Sequence, residues 1–187
     1  MIFNQHLRLK DQHAFLSPSK YHWVRYDDEK LDRKFRLAMA AKRGTELHDL
    51  AHEMIRLGVK ASSRGNKTVS LYVNDAIGYR MTTEQTLYYS ENCFGHADTI
   101  SFRRNKLRIH DLKTGESPTS EHQREVYAAI FCLEYGIKPF DIEMELRIYQ
   151  SGEVRIYDAD PDTITHVMDR IVTFDKRIAQ LRLEEMS

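Results

Sequence analysis

Asp98, Asp111 and Lys113 are the residues whose types and spacing can do chemistry, because the alternation around them reads as two adjacent strands, Gly95 to Arg103 and Lys106 to Lys113. Arg104-Asn105 reads as the turn between them, since asparagine tolerates the positive φ that a two-residue hairpin turn needs. With that turn Phe102 faces Leu107, Ile100 faces Ile109 and Asp98 faces Asp111, so one face carries four apolar side chains and then two opposed carboxylates. Lys113 points to the same face. Thr99, Ser101, Arg103, Arg108 and His110 fall on the other, which is the polar alternation expected if the first face is buried.

Directly opposed carboxylates have Cβ atoms about 5 Å apart, and like charges so placed are destabilising unless something compensates them. A divalent cation is the natural compensation: Mg²⁺ or Mn²⁺ takes oxygen ligands, and a carboxylate pair at the rim of an apolar wall provides them. Lys113 beside the pair would orient and help deprotonate a water, or stabilise negative charge on an attacked phosphate. Taken singly, Asp98 can simply begin a strand, and Asp111 with Lys113 can form an exposed salt bridge near the Lys-Thr-Gly turn. The two carboxylates in register favour a site over either bland reading.

The elements that must position this hairpin are legible around it. Ser17-Pro18-Ser19 looks like a helix start, and a charged helical stretch runs from about Asp27 toward Lys42. A second helix is expected from about Thr45, with Leu47, Leu50, Ala51, Met54 and Leu57 at helical spacing and Gly58 placed to end it. Residues 61 to 68 read as loop and Val69 to Arg80 as helix. Thr86 to Ser90 reads as a strand leading into the hairpin, Ser120 to Tyr135 as an amphipathic helix closed by Gly136, and Ile142 to Tyr149 and Glu153 to Tyr157 as a second hairpin around Ser151-Gly152. Asp160-Pro161 caps a final long helix. The order predicts a mixed α/β domain, with a central mixed β-sheet flanked by helices.

A chain of 187 residues that is 41% hydrophobic and 30% charged can bury one sizeable core, and it contains no repeat or linker-like stretch. It therefore reads as a single domain over 1–187, with an N-terminal helical region at about 17–60 and a catalytic sheet with its helices at about 84–187. No stretch approaches the length of an apolar membrane span and the N-terminus lacks the apolar run of a signal peptide, so the expected compartment is the cytoplasm. Cys93 and Cys132 are too few for a disulfide framework or a four-cysteine metal site and are expected as reduced thiols. Formal charge is zero, which argues against a protein that coats nucleic acid but permits a basic groove beside an acidic centre.

Gly95-His96-Ala97-Asp98, then Ile109-His110-Asp111-Leu112-Lys113-Thr114-Gly115, then Gln123-Arg124-Glu125-Val126-Tyr127 resemble motifs II, III and IV of the RecB-like branch of the PD-(D/E)xK nucleases. Upstream, Gly44-Thr45-Glu46-Leu47-His48 resembles that branch's motif I, so four motifs in the family's order span residues 44 to 127. The resemblance implies a restriction-endonuclease-like core and a Mg²⁺- or Mn²⁺-dependent deoxyribonuclease. It implies His48, Asp98, Asp111 and the backbone carbonyl of Leu112 as metal ligands, Lys113 as the catalytic lysine, and Gln123 and Tyr127 as residues that position the lysine, the water or a DNA phosphate. Read from the residues alone, His48 would pack beside the Leu47/Leu50 stripe, and Gln123 and Tyr127, four apart, would be ordinary helix surface. Glu84 and Glu91, near the strands leading in, are further candidate ligands.

The iron–sulfur cluster that many CRISPR-associated relatives hold through four cysteines is not expected here. The compact size is similar to that of stand-alone bacteriophage exonucleases for end resection or recombination, which implies DNA as substrate and a strand-annealing or recombination protein as partner, with no membrane. Basic residues for phosphate contacts are Lys20, Arg25, Arg33, Lys34, Arg36, Lys42 and Arg43, while Tyr21, His22 and Trp23 are either a stacking platform or core. Two other classes compete. His48-Asp49-Leu50-Ala51-His52 approaches the zinc-protease pattern H-E-x-x-H, but with Asp for Glu and without using Asp98, Asp111 or Lys113. A nuclease fold kept as an inactive DNA-binding or partner-binding subunit is the other, against which the intact metal and lysine positions argue.

Overall fold

The structure is a computed structural model that describes residues 4–10, 12–62, 64–115, 120 and 122–185. The chain divides into two units, one ending at Arg43 and the other beginning at Gly44. The first holds a short 3₁₀ turn at Leu7–Leu9, a 3₁₀ segment at Pro18–Arg25 and the start of helix α1, Asp28–Leu57. Here Pro18 does open a helical segment, although a 3₁₀ one. Trp23 donates through Nε1 to the Ser17 carbonyl at 2.9 Å, and Phe15 meets Phe35 edge-on at 5.3 Å.

The expected break between two helices at Lys42 and Thr45 does not occur, because α1 runs through it without interruption. Gly44 has a different cause: a Cβ there would stand 2.7 Å from Thr114 Oγ1, so the residue is small because the helix lies against the segment after the hairpin. Gly58 does end the helix, at φ +68, and the Val59 amide returns to the Met54 carbonyl at 2.9 Å as a left-handed C-cap requires. Helix α2, Lys67–Gly78, begins two residues before the expected start, because Asn66 Oδ1 accepts the Val69 amide at 3.1 Å and so caps it.

Five strands form one sheet in the order β1-β2-β3-β4-β5: Thr82–Ser90, Cys93–Arg103, Lys106–Lys113, Glu143–Gln150 and Glu153–Asp158. Only β3 and β4 pair in parallel, and α3, His122–Tyr135, makes the crossover between them. Glu121, inside the expected span of that helix, lies outside the described residues. Asp160 caps α4, Pro161–Glu185, by accepting the Thr163 amide at 3.0 Å. The fold is mixed α/β. Among the described residues no helix is long and apolar enough to cross a membrane.

Both faces of the sheet are covered. Leu107, Ile109, Met144 and Leu146 pack under α3 and α4 with Ala128, Phe131 and Ile164, whereas Leu112 and Tyr149 pack under α2 and the second half of α1 with Ala51, Ile55 and Val73. That corrects the reading of the hairpin's second face. Its polar residues Thr99 and His110 are fully buried, because α2 covers them and supplies partners. His110 Nδ1 shares a 3.2 Å hydrogen bond with Tyr149 Oη, Tyr149 Oη donates to Asp75 at 2.7 Å, and Arg147 donates to Asp75 at 3.0 Å and to Tyr79 Oη at 2.8 Å. Phe102 departs in the other direction: it is 39% exposed and leans on Phe131 at the rim.

Candidate active site

The hairpin has the register its residues imply, with Phe102 opposite Leu107, Ile100 opposite Ile109 and Thr99 opposite His110. Arg104 and Asn105 take φ of 53° and 56°, the paired left-handed values of the turn that matches strand twist. The regular ladder stops one step short of the aspartates. Ala97 and Ile100 both join the core under α3, so strict alternation fails between them, and the β1–β2 ladder likewise skips the position where Glu84 would face Asp98. Glu84 sits there at φ 52°, a conformation costly for a residue with a Cβ. Asp98 therefore reaches its place through a local break rather than through the strand's period. Its Oδ2 accepts the Leu112 amide at 2.9 Å, across the strand gap.

Asp111 is buried beside two cations, the half-buried Lys113 and the fully buried Arg124. Its Oδ2 stands 3.0 Å from Lys113 Nζ and 3.3 Å from Arg124 Nη1, close enough to pair electrostatically but without hydrogen-bond angles to either. Lys113 Nζ also donates to Gln123 Oε1 at 3.2 Å. On the other carboxylate, His48 Nδ1 lies 3.8 Å from Asp98 Oδ2. Burial, and then the charge of Asp111, push the Asp98 carboxyl up to about 6, against the pull of the Leu112 amide, His48 and Lys113.

Three elements deliver these groups. Gly44 lets α1 approach Thr114, and His48 follows one turn later toward Asp98. On α3, Gln123 meets the lysine, while Tyr127 packs where a Cβ on Gly95 would stand 3.0 Å from its Cε1. The motif glycines Gly44 and Gly95 are thus both clearances. Sequence reading passed over Arg124, which is completely buried and donates to Tyr157 Oη at 2.8 Å and to the Ser120 carbonyl. The signal was available: Arg124 occupies the same α3 stripe as the buried Ala128 and Phe131, at spacings of four and seven, where a charge needs a partner. Tyr72 on α2 was also missed. It is buried against Thr99, and burial with the nearby Asp98 charge holds its phenol well above the usual range.

Other candidates fall elsewhere. Glu91 lies in the β1–β2 turn, accepting from Tyr88 Oη at 3.3 Å. His52 turns to Thr83 Oγ1 at 3.0 Å while His48 turns to Asp98, so the histidine pair has separate partners. Leu112 follows Asp111 on β3 and is buried under α2. Lys20, Arg25, Arg33, Lys34, Arg36, Lys42 and Arg43 are exposed and belong to the unit that ends at Arg43, as do the exposed Tyr21 and His22 and the half-buried Trp23.

Two carboxylates and an imidazole fit a hard divalent cation by donor chemistry, and Asp111 Oδ2, ion-paired with Lys113 and Arg124, makes no hydrogen bond that such an ion would have to displace. Among the described residues no three His, Cys, Asp or Glu side chains stand together at metal-holding distances. Family models, curated proteins and solved structures give no significant match to the chain or its fold.

Proposed function

We propose that the chain is a divalent-metal-dependent nuclease of the PD-(D/E)xK type, with a restriction-endonuclease-like core, that hydrolyses phosphodiester bonds of DNA as an exonuclease in end processing or recombination. The observation that carries the reading is the convergence of Asp98, Asp111, Lys113 and Gln123, which come from β2, β3 and α3, around a like-charge pair of which Asp111 is buried and Asp98 half-buried. The Asp98–Asp111 crowding costs stability, and a binding or catalytic role accounts for it.

His48, Asp98 and Asp111 would hold Mg²⁺ or Mn²⁺, with the Leu112 carbonyl as the further ligand the motifs imply. The chemistry such an ion supplies when bound is polarisation of the phosphate and a lowered pKa for the attacking water. The chain's own residues do the rest. The Leu112 amide fixes the Asp98 carboxylate, and Arg124 anchors Asp111 from beneath. Gln123 holds the Lys113 ammonium, which stabilises charge developing on the phosphate or orients the water. Tyr127 sets α3 against β2 at Gly95.

The test is incubation of labelled linear and circular DNA, single- and double-stranded, with Mg²⁺ or Mn²⁺, comparing wild type with Asp111→Ala and Lys113→Ala. Cleavage of linear forms that both variants lose is the expected result. Wild type that binds DNA but never cuts it points to an inactive binding subunit, a reading to which the pairing of Asp111 with two cations lends weight. Zn²⁺-dependent activity that survives Lys113→Ala returns the His48/His52 hydrolase.

A further inference from the structure

At the opposite end of the hairpin from Asp98 and Asp111, a cleft of about 550 Å³ opens on the α2 side of the sheet, within the size range of ligand sites. Arg80, Arg103, Arg104, Lys106 and Arg108 line it, with Glu143 as the sole carboxylate among the lining residues. Compensation inside it is uneven. Lys106 is paired with Glu143 and Glu145 at 3.4 and 3.1 Å, and Arg108 with Glu145 at 3.3 Å. Arg80, Arg103 and Arg104 are exposed and have no carboxylate partner among the described residues.

The floor is built rather than incidental. Arg108 and Arg147 stack on the Tyr79 ring from 4.6 and 4.7 Å, and the ring's hydroxyl accepts from Arg147, so the aromatic wall is held rigid. Arg80 and Arg104 both adopt left-handed φ, 52° and 53°, where glycine or asparagine would be less strained. Both values come from local turns, Arg80 following the α2 C-cap, where the Met81 amide returns to the Ala76 carbonyl at 2.9 Å, and Arg104 opening the hairpin turn, and both turns carry an exposed arginine to the rim of one cleft.

We propose that this cleft is an auxiliary phosphate-binding site for a polynucleotide strand, separate from the cleavage chemistry; it rests on the reading of the chain as a nuclease. Guanidinium groups pair bidentately with phosphate oxygens, and an open, net-positive cleft with several exposed arginines suits a chain of successive phosphates better than a single small anion. Five residue steps of β3, about 17 Å, separate Lys106 from Asp111, which faces the other side of the sheet, so the arginines hold a segment of nucleic acid away from the scissile bond. They add affinity and register, and leave the chemical step alone.

Fluorescence anisotropy in EDTA, where nothing is cut, tests this with the full chain, a labelled 20-base-pair duplex, a 20-nucleotide single strand and a 5′-mononucleotide. The variant is Arg80→Gln/Arg103→Gln/Arg104→Gln, which keeps the same backbone penalty at the two left-handed positions. Its control is Arg170→Gln/Arg177→Gln/Arg182→Gln on α4, equal in charge change. The cleft variant should bind one or both oligonucleotides about tenfold or more weaker, with the slope of log affinity against log salt reduced by about 0.7 to 0.9 per lost contact. The control should bind like wild type. In Mg²⁺ at saturating DNA the cleft variant should keep the wild-type kcat.

Equal binding by the cleft variant, equal weakening in the control, or a cleft that takes only the mononucleotide overturns the proposal. Wild type that binds DNA through these arginines yet never cleaves it leaves the cleft standing and removes the nuclease reading, so the two failures are distinct.

Discussion

On the α2 side of β3, His110 is buried among Tyr149, Tyr79 and Arg147, and the polar groups there bond one another across α2, β3 and β4. On the α3 side of the same strand, one residue on, Asp111 is buried as deeply but stands beside another carboxylate, and its outer oxygen lacks a hydrogen bond. Burial, polarity and an unmet hydrogen bond are shared, since His110 Nε2 and Asp111 Oδ2 both lack one; the charge pattern is not. The first cluster joins opposite charges, Asp75 and Glu145 with Arg147, so its members stabilise one another. The second adds to its opposite-charge pairs, Asp111 with Lys113 and Arg124, a like-charge contact that raises the Asp98 pKa. The contrast separates a polar core from a site without appeal to conservation or to a relative.

Substitutions on the two sides should therefore fail in different ways. Lys113→Ala should lower cleavage by about 1000-fold, or about 4 kcal/mol of transition-state stabilisation, with an unfolding midpoint near that of wild type. An unfolded Lys113→Ala protein would place the lysine with the structural cluster and break the contrast. Arg147→Ala should do the reverse. It strips a buried partner from Glu145 and Asp75 and should cost about 3 kcal/mol in urea unfolding, while the folded fraction keeps its turnover.

The pH dependence sharpens the same contrast, because the two buried groups titrate with opposite sign. His110 is held down to about 3, by burial first and then by Arg147, so the unfolded chain binds the extra proton and stability falls as pH drops below about 6.5. Asp98 is pushed up to about 6, so the folded chain binds the extra proton between about pH 4 and 6, and stability falls as pH rises through that window. Asp98→Asn keeps an acceptor for the Leu112 amide and removes the crowding. In EDTA it should be more stable than wild type by about 2 kcal/mol at pH 7, and the gap should close near pH 4. Urea unfolding across pH 4 to 8 reads both slopes. A variant less stable than wild type at pH 7 would show that Asp98 is a net structural asset. Gln123→Ala gives the smallest effect: with its lysine less firmly held, kcat should fall about tenfold, with stability unchanged.

Period and turn chemistry made the hairpin legible. Arg104-Asn105, Ser151-Gly152, Gly58, Gly136 and the Asp160 cap each acted locally, so the local signal was enough. Three features depended on tertiary approach and could not be read locally. Gly44 entered only as part of a motif, and its role as a clearance for Thr114 depends on the approach of α1. His110 and Thr99 alternated like a surface face, and only the arrival of α2 buries them. The period-2 argument that set Asp98 beside Ile100 ran through a position where β1 and β2 interrupt their ladder, and Asp98 meets Asp111 because its carboxylate bonds the Leu112 amide. Of the site, Asp98, Asp111 and Lys113 were readable from type and spacing and Gln123 only through the motif resemblance, whereas Arg124 was hidden because a lone arginine in an amphipathic helix resembles a surface charge.

The central claim is that the crowded carboxylates are a divalent-cation site, and thermal unfolding titrated with Mn²⁺ tests it most directly, since it needs no substrate. Wild type should rise in midpoint, saturably, by about 5 °C or more once the ion is in roughly hundredfold excess over its dissociation constant. Lys113→Ala should rise at least as much, and Asp98→Asn should not respond. A wild-type midpoint that ignores Mn²⁺, or an equal rise in Asp98→Asn, would contradict the claim.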